Sequence, residues 1–376
     1  MAGGRMDTQE LFKILVKEQA SDLIIKANAC PAIRVQGRIK FISESRIPEA
    51  FAESLADQVL PETMREQFQR TGEADTSYEI DNVGRFRANI FRQRGRLCLV
   101  FRSVLEKIPS IDELNLPKRQ VEELAALHRG LVLITGTTGS GKSTTMAAMI
   151  EFMNHNFARH IITVEDPIEF TFVDRKSMIN QREIGFDTLN YAAALRHIVR
   201  QTPDVIVLGE MRDETTVRAA LSAAETGHLV ISSLHTINAV QTVERILSFF
   251  PQHQHDEVRL QLSLTLEGVL SQRLLPRKNH STRVPAVEIL LGTPTVRELL
   301  YAGKTRELAK AIYDGSQYYG TQTFHQSISH LYKNNIITYE DALAGADNPD
   351  ELKLELRGVS KGLVNKNFEF EAPPVP

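Results

Sequence analysis

Glycine, serine and threonine crowd together in LVLITGTTGSGKSTTMAAM, residues 131–149. Within it, Gly136, Thr137, Thr138, Gly139, Ser140, Gly141, Lys142 and Ser143 fit the pattern G-x-x-x-x-G-K-[ST], and Thr144 follows. Glycines let backbone N–H groups converge on phosphate oxygens with no Cβ in the way. An apolar strand pattern precedes the loop and a helical pattern follows it, so a helix N-terminus adds its positive end. Lys142 then supplies a charge for the β- and γ-phosphates, and the Ser143 hydroxyl is placed to ligate Mg²⁺. The ligand this chemistry implies is ATP or a similar nucleoside triphosphate.

Hydrolysis also needs a base and a metal holder. Two apolar strand patterns end in acids: IITVEDPIEF supplies Glu165, Asp166 and Glu169, and VIVLGEMRD supplies Glu210 and Asp213. In doubly wound sheets ligands sit at the carboxyl ends of strands, so both sets should face the glycine loop. Gly209 stands where many ATPases carry Asp. Glu210 is then expected in the Mg²⁺ shell and Glu165 as the base that polarises water, although the residues alone leave the two roles exchangeable. Asp166 and Glu169 are equally suited to capping a following helix. TGHLVISSLHT adds His228 before a strand and His235 at its end; His235 is expected to sense the γ-phosphate as a neutral imidazole, and His228 is carried as a second catalytic candidate.

GRFRANIFRQRGRLCLVFR contains Arg85, Arg87, Arg92, Arg94, Arg96 and Arg102 and no acid. On a strand Arg85 and Arg87 share one face, while Phe86, Ala88 and Ile90 share the other. A solvated face, a nucleic-acid patch and a set of arginine fingers compete for this hairpin. No aromatic residues line the cationic front to stack bases, which favours the fingers: Arg85, Arg87 and Arg102 reaching a triphosphate. If they act in trans, the active unit is a dimer or a ring.

The elements that must hold these residues fall into two parts. Residues 1–105 alternate helical and strand patterns as a small α+β unit, and Pro109 and Pro117 punctuate a linker at 106–117 in which SIDE opens a capped turn. From 118 to about 360, apolar strand-like runs alternate with helical stretches, the pattern of a sheet covered on both faces; beyond about residue 250 the pattern is mostly helical. Residues 361–376 read as a flexible tail. The 376 residues carry a net charge of −3 and only two cysteines, Cys30 and Cys98, which excludes a disulfide or zinc framework and gives no global basic excess for nucleic acid. No apolar run approaches the ~18 residues of a membrane span, so a cytoplasmic protein that borrows any membrane contact from a partner is expected.

GTTGSGKST, TVEDPIEF, VLGEMRD and AAETGHLVISSLHT together resemble the Walker A, Asp box, Walker B and His box of the secretion and type IV pilus ATPases, and NQREIG, ALRHIVRQTPDVIVLGEMRD and TQTF are similar to its pilus retraction branch, the PilT and PilU type, over residues 8–350. The resemblance implies a PAS-like N-terminal domain, a RecA-like P-loop ATPase domain with a helical C-terminal extension, and a homohexameric ring. In that ring one subunit's N-terminal domain would pack on the next subunit's ATPase domain, with nucleotide and the arginines at the junction. It also implies pilus retraction through domain rotation, work at the inner-membrane base of the pilus on a platform protein, a second retraction ATPase as a candidate partner, and no direct nucleic-acid contact. The four-cysteine zinc insertion and longer N-terminal region of the extension and type II secretion relatives are missing, which favours retraction. Of the retraction motif Ala-Ile-Arg-Asn-Leu-Ile-Arg-Glu, TVRELLYAGK keeps Arg297 and Leu299 and departs at Glu298, Tyr301 and Ala302. Two other readings stay open: a nucleic-acid-translocating or secretion-type ATPase, and a weakly active accessory retraction subunit.

Overall fold

The structure, a computed structural model, describes residues 7–35, 37–104, 108–279 and 282–356. The expected flexible tail, 361–376, lies outside the described residues, as do positions 106 and 107 of the linker.

The first sheet is wholly antiparallel. Its strands are β1 (Asp22–Lys26), β2 (Ala32–Val35), β3 (Arg38–Phe41), β4 (Glu73–Ile80), β5 (Gly84–Gln93) and β6 (Arg96–Ser103), in the order β3-β2-β1-β6-β5-β4. Along β5 the side chains of Phe86, Ala88 and Ile90 are buried and alternate with the arginines, as the period of two requires. Arg94 (φ 50°) and Gly95 (φ 76°) form the two-residue turn into β6, the paired positive φ values that match the twist of a hairpin. The helix Thr8–Lys17 lays Phe12 on the buried face, its ring 4.7 Å from both Phe86 and Phe101. The polar stretch 49–70 is two helices, Glu49–Val59 and Glu62–Thr71, because Pro61 has no N–H to continue the first.

The linker turn forms as expected: Ser110 Oγ accepts from the Glu113 N–H, and the Glu113 carboxylate accepts from the Ser110 N–H. The second sheet follows. Its strands are β7 (Gly130–Thr135), β8 (His160–Glu165), β9 (Met178–Glu183), β10 (Val205–Leu208), β11 (Leu229–Leu234), β12 (Leu266–Pro276) and β13 (Arg283–Leu291), in the order β13-β12-β7-β11-β10-β8-β9. Every pairing is parallel except β12 with β13. β7 and β11 are buried along their whole length. Leu131 and Leu133 face one apolar cluster, Val132 and Ile134 the other, so the sheet has a core on each side.

Beyond 250 the described residues are mostly helical, as expected, but the β12–β13 hairpin within them was not foreseen. Its apolar run is broken by Ser271 and Gln272, both buried, which hides a strand from a hydrophobicity pattern. Both polar groups have partners across the sheet: Thr135 Oγ1 donates to Ser271 Oγ (3.0 Å), and Gln272 Nε2 donates to Thr145 Oγ1 (2.8 Å).

The segment that keeps only part of the retraction motif forms the helix Pro294–Tyr301. Arg297 sends Nη2 to both carboxylate oxygens of Glu267 (2.8 and 2.9 Å), Nη1 to the carbonyls of Ser263 and Leu264 (2.9 and 3.1 Å) and Nε to the Gly292 carbonyl (2.9 Å). It thereby closes the C-terminal end of the helix His255–Thr265. Arg297→Ala is expected to lower unfolding stability by about 2 kcal/mol, because Glu267 loses its counter-ion and the carbonyls their donor; chemical denaturation measures it.

Candidate active site

β7 ends at Thr135 and the chain turns through 136–141 into the helix Lys142–Asn156. Gly136 has φ 147°, and a Cβ there would stand 2.4 Å from the Gln272 carbonyl oxygen. Gly141, at φ 93°, is the helix N-cap, and no side chain caps the helix. The first-turn N–H groups therefore turn toward the cleft above the sheet, an arrangement made for an anion. Ser140 Oγ, in the same loop, is buried and has no partner among the described residues. Lys142 folds back over the loop, donating Nζ to the carbonyls of Gly136 (2.9 Å) and Thr137 (3.0 Å). Burial pulls its pKa below the usual lysine value, against the Glu210 and Glu169 carboxylates, which raise it.

The cleft, about 470 Å³, is lined by Lys142, Ser143, Glu165, Tyr191, Glu210 and His235 among others. Glu165 ends β8. Its Oε1 accepts from Thr163 Oγ1 (2.7 Å) and Gln181 Nε2 (3.2 Å), and burial pushes its carboxyl above the ordinary range despite those bonds. Glu210 follows β10 and accepts from Arg212 Nε (2.9 Å). His235, just past β11, has Nε2 3.3 Å from Glu210 and Nδ1 3.5 Å from Lys142 Nζ. An ammonium only donates and a carboxylate only accepts. The ring therefore stands between the lysine and the acid, and a proton on Nε2 would let it donate to Glu210 while Nδ1 accepts from Lys142. The cleft brings Lys142, Ser143, Glu165, Glu210 and His235 together as expected.

His228 is not with them. It precedes β11 while His235 follows it, so the length of a six-residue strand, about 20 Å, lies between the two. Its Nδ1 is 3.0 Å from the Ala223 carbonyl, a local structural bond. Asp213 is also structural: it accepts from the Thr216 N–H (2.8 Å) as N-cap of the helix Glu214–Glu225. Asp166 and Glu169 cap nothing; Asp166 lies 3.9 Å from Arg212 and Glu169 lies 3.5 Å from Arg87.

Within its own chain each of the three arginines meets an acid. Arg87 meets Glu169 of its own chain. Arg85 Nη2 bonds Glu183 (2.8 Å) and Ser77 (2.9 Å), and its Nη1 lies 3.3 Å from Glu79. Arg102 bonds Asp22 on β1 (3.0 Å), inside the first sheet. The two sheets are thus tied through Arg85 and Glu183, and Glu183, whose side chain is 3% exposed, also accepts from the Ile168 N–H in the acidic loop (3.2 Å). Arg85→Ala leaves that buried carboxylate without its cation, and a loss of about 3 kcal/mol is expected. Denaturation reads the loss, and amide exchange of β4, β5 and the 166–170 loop locates it.

Sequence reading missed two residues. Tyr191, from the helix Tyr191–Ile198, places its hydroxyl 2.9 Å from where a Cβ on Gly209 would be, and Val164 O would lie 3.4 Å from that Cβ. That contact accounts for glycine at the position where Asp was expected, and burial raises the Tyr191 pKa. Arg212, the arginine of GEMRD, links Glu210 to Asp166. Beside the main cleft, sharing Gly141, Thr144, Leu274 and Arg283 with it, lies a smaller one of about 280 Å³ that adds Leu116 from the linker and Pro285. The β12–β13 hairpin therefore forms one wall of the site.

Residues 85–343 match the family model described as type II/IV secretion system protein. The chain belongs to that family. It is 39% identical over 353 residues to the type IV pilus ATPase PilU of Pseudomonas aeruginosa, covering 94% of this chain and 92% of the relative. It is 40% identical over 345 residues to the type IV pilus retraction ATPase PilT of the same organism, covering 92% and 99%. A crystal structure of the pilus retraction motor PilT with bound ADP superposes with a TM-score of 0.85 at 43% identity, covering 93% of this chain and 99% of that one. Family members are named as ATPases, and the site fits MgATP. The loop accepts a phosphate chain with no Cβ intruding, and Ser143 and Glu210 both line the cleft. Among the described residues no cluster of three or more His, Cys, Asp or Glu is arranged to hold a metal alone. Magnesium needs none, since it keeps waters, takes phosphate oxygens and adds one or two protein groups.

Proposed function

We propose that this chain is an ATP-hydrolysing motor that drives type IV pilus retraction, the activity behind twitching motility. The observation that supports it most is the Lys142–His235–Glu210 contact chain beneath an uncapped helix N-terminus, with Glu165 across the cleft. In this reading the amides of 136–144 and Lys142 hold the triphosphate, and Ser143 and Glu210 hold the Mg²⁺, which would neutralise charge on the β- and γ-phosphates. Glu165 orients and deprotonates the attacking water, and His235 reports the γ-phosphate to the Glu210 side. The smaller cleft takes the base and ribose against Leu274 and Pro285. Arg87, released from Glu169, is the guanidinium proposed to move onto nucleotide.

The proposed division is a PAS-like domain over 1–105, a linker over 106–117 and a RecA-like domain over 118–360 that ends in helices. Six copies form a ring, and ATP binding and release rotate the two domains about the linker. None of the helices of the described residues is long and apolar enough to cross a membrane, and the ring is proposed to work on a membrane platform protein from the cytoplasmic side. The nucleic-acid reading loses support because Arg85, Arg87 and Arg102 are engaged by Glu183, Glu169 and Asp22. Sizing of the purified protein by light scattering with and without ATP tests the ring: a six-subunit mass supports it, and a monomer under both conditions excludes it.

A further inference from the structure

Glu288 lies on β13, half-buried, opposite Ser271 on β12. Its Oε1 accepts the N–H of Ala239 (2.8 Å), the first residue of the helix Ala239–Ser248. Asn238, the N-cap, satisfies the Gln241 N–H, so Glu288 and Asn238 share the start of that helix. The loop between this helix and β11 carries His235. On its other side Glu288 faces Ser271 across the strand pair, and Ser271 Oγ accepts from Oγ1 of Thr135 (3.0 Å), the residue before Gly136. Thr135, Ser271, Glu288 and Ala239 thus lie in succession between the base of the phosphate loop and the base of the histidine loop: Thr135 donates to Ser271, Ser271 stands opposite Glu288, and Ala239 donates to Glu288. The Ala239 N–H donates to the carboxylate, and that bond is stronger when Glu288 is ionised.

We infer that Glu288 is a positioning residue for ATP hydrolysis, holding the His235 loop in register with the phosphate loop through its ionised carboxylate. The inference rests on the ATPase reading above. Protonation would weaken the Ala239 bond, which then ends on a neutral carboxyl, and would offer an O–H toward Ser271. Burial pushes the Glu288 pKa up to about 7, so this change falls within the physiological range. Two charges bear on it. Asp347 raises the pKa and Arg273 lowers it, and these two are paired with each other (2.9 Å), with Arg273 also bonded to the Gly345 carbonyl and lying over the Phe324 ring. Because the folded pKa is raised, the ionised form costs stability: that cost grows as pH rises from the ordinary carboxyl range to about 7 and stays constant above it. The fold on its own would favour a neutral residue here.

The test is ATP turnover against pH for wild type, Glu288→Gln and Ser271→Ala, with melting measured at pH 8. Glutamine keeps the size and one acceptor but cannot ionise. Glu288→Gln should lower kcat about tenfold with KM for ATP within about threefold, the scale of misplacing one catalytic wall. It should also remove the part of the expected acid fall that Glu288 imposes near pH 7, leaving the part that Glu165 imposes, and melt no lower than wild type at pH 8. Ser271→Ala removes a donor that favours the charged form, so its fall in rate should begin at a higher pH than in wild type. Glu288→Gln that keeps the wild-type kcat and acid fall overturns the inference, and so does a kcat loss matched by a lower melting temperature. Absence of turnover in wild type itself removes the ATPase reading, and this inference with it.

Discussion

Glu165→Gln is expected to lower kcat by about 10²–10³-fold while nucleotide binding survives. The substitution keeps the length of the side chain and an oxygen that Thr163 and Gln181 can still reach, so the end of β8 should hold its shape. What disappears is the only function a carboxylate has here that an amide lacks, taking a proton from water. Burial adds a pH signature. The Glu165 carboxyl is held above its ordinary range, and the base must be ionised, so this residue's contribution to the rate is complete at high pH. It is lost as pH falls through the raised value, earlier than an exposed glutamate would lose it. A fluorescent ATP analogue reads the binding and phosphate release reads the turnover. Full activity in the variant would move the base to Glu210 or elsewhere.

Lys142→Ala should cost more, because binding and turnover go together. Its ammonium is the one cation inside the phosphate loop, held by the carbonyls of Gly136 and Thr137 and close to His235. Its folded pKa is lowered by burial, so the charge is maintained against desolvation and repaid when phosphate arrives. Removal is expected to weaken ATP binding by at least about tenfold and to lower kcat by about 10²–10³-fold, the range for a donor aimed at developing charge. Isothermal titration with ADP separates the two effects.

Much of this site was legible in the sequence because its parts are local. The phosphate loop is eight consecutive residues, and Glu165, Glu210 and His235 each sit directly after an apolar run, so a strand end predicts their edge of the sheet. The two histidines show the limit: His228 and His235 bracket the same strand, and adjacency in sequence put both at the site when only one end of a strand can be there. The β12–β13 hairpin was hidden because Ser271 and Gln272 interrupt its apolar pattern, and their partners, Thr135 and Thr145, are more than 120 residues away. Tyr191 was invisible for the same reason, since its meaning comes from Gly209. For the arginines, alternation on β5 gave the correct faces, but no local rule says that Arg85 finds Glu183. In the first unit the alternation of helical and strand patterns was legible because Asn, Gly and Pro mark its turns, but the strand order was not, since it depends on pairings across up to 80 residues.

The central claim is that this cleft turns over ATP. Its most direct measurement is phosphate release by the purified wild-type chain in the presence of Mg²⁺, with a parallel EDTA sample and a parallel Lys142→Ala preparation. Release that grows in proportion to protein and stops in both controls is the predicted result. Wild-type release no greater than that of the Lys142→Ala protein would contradict it.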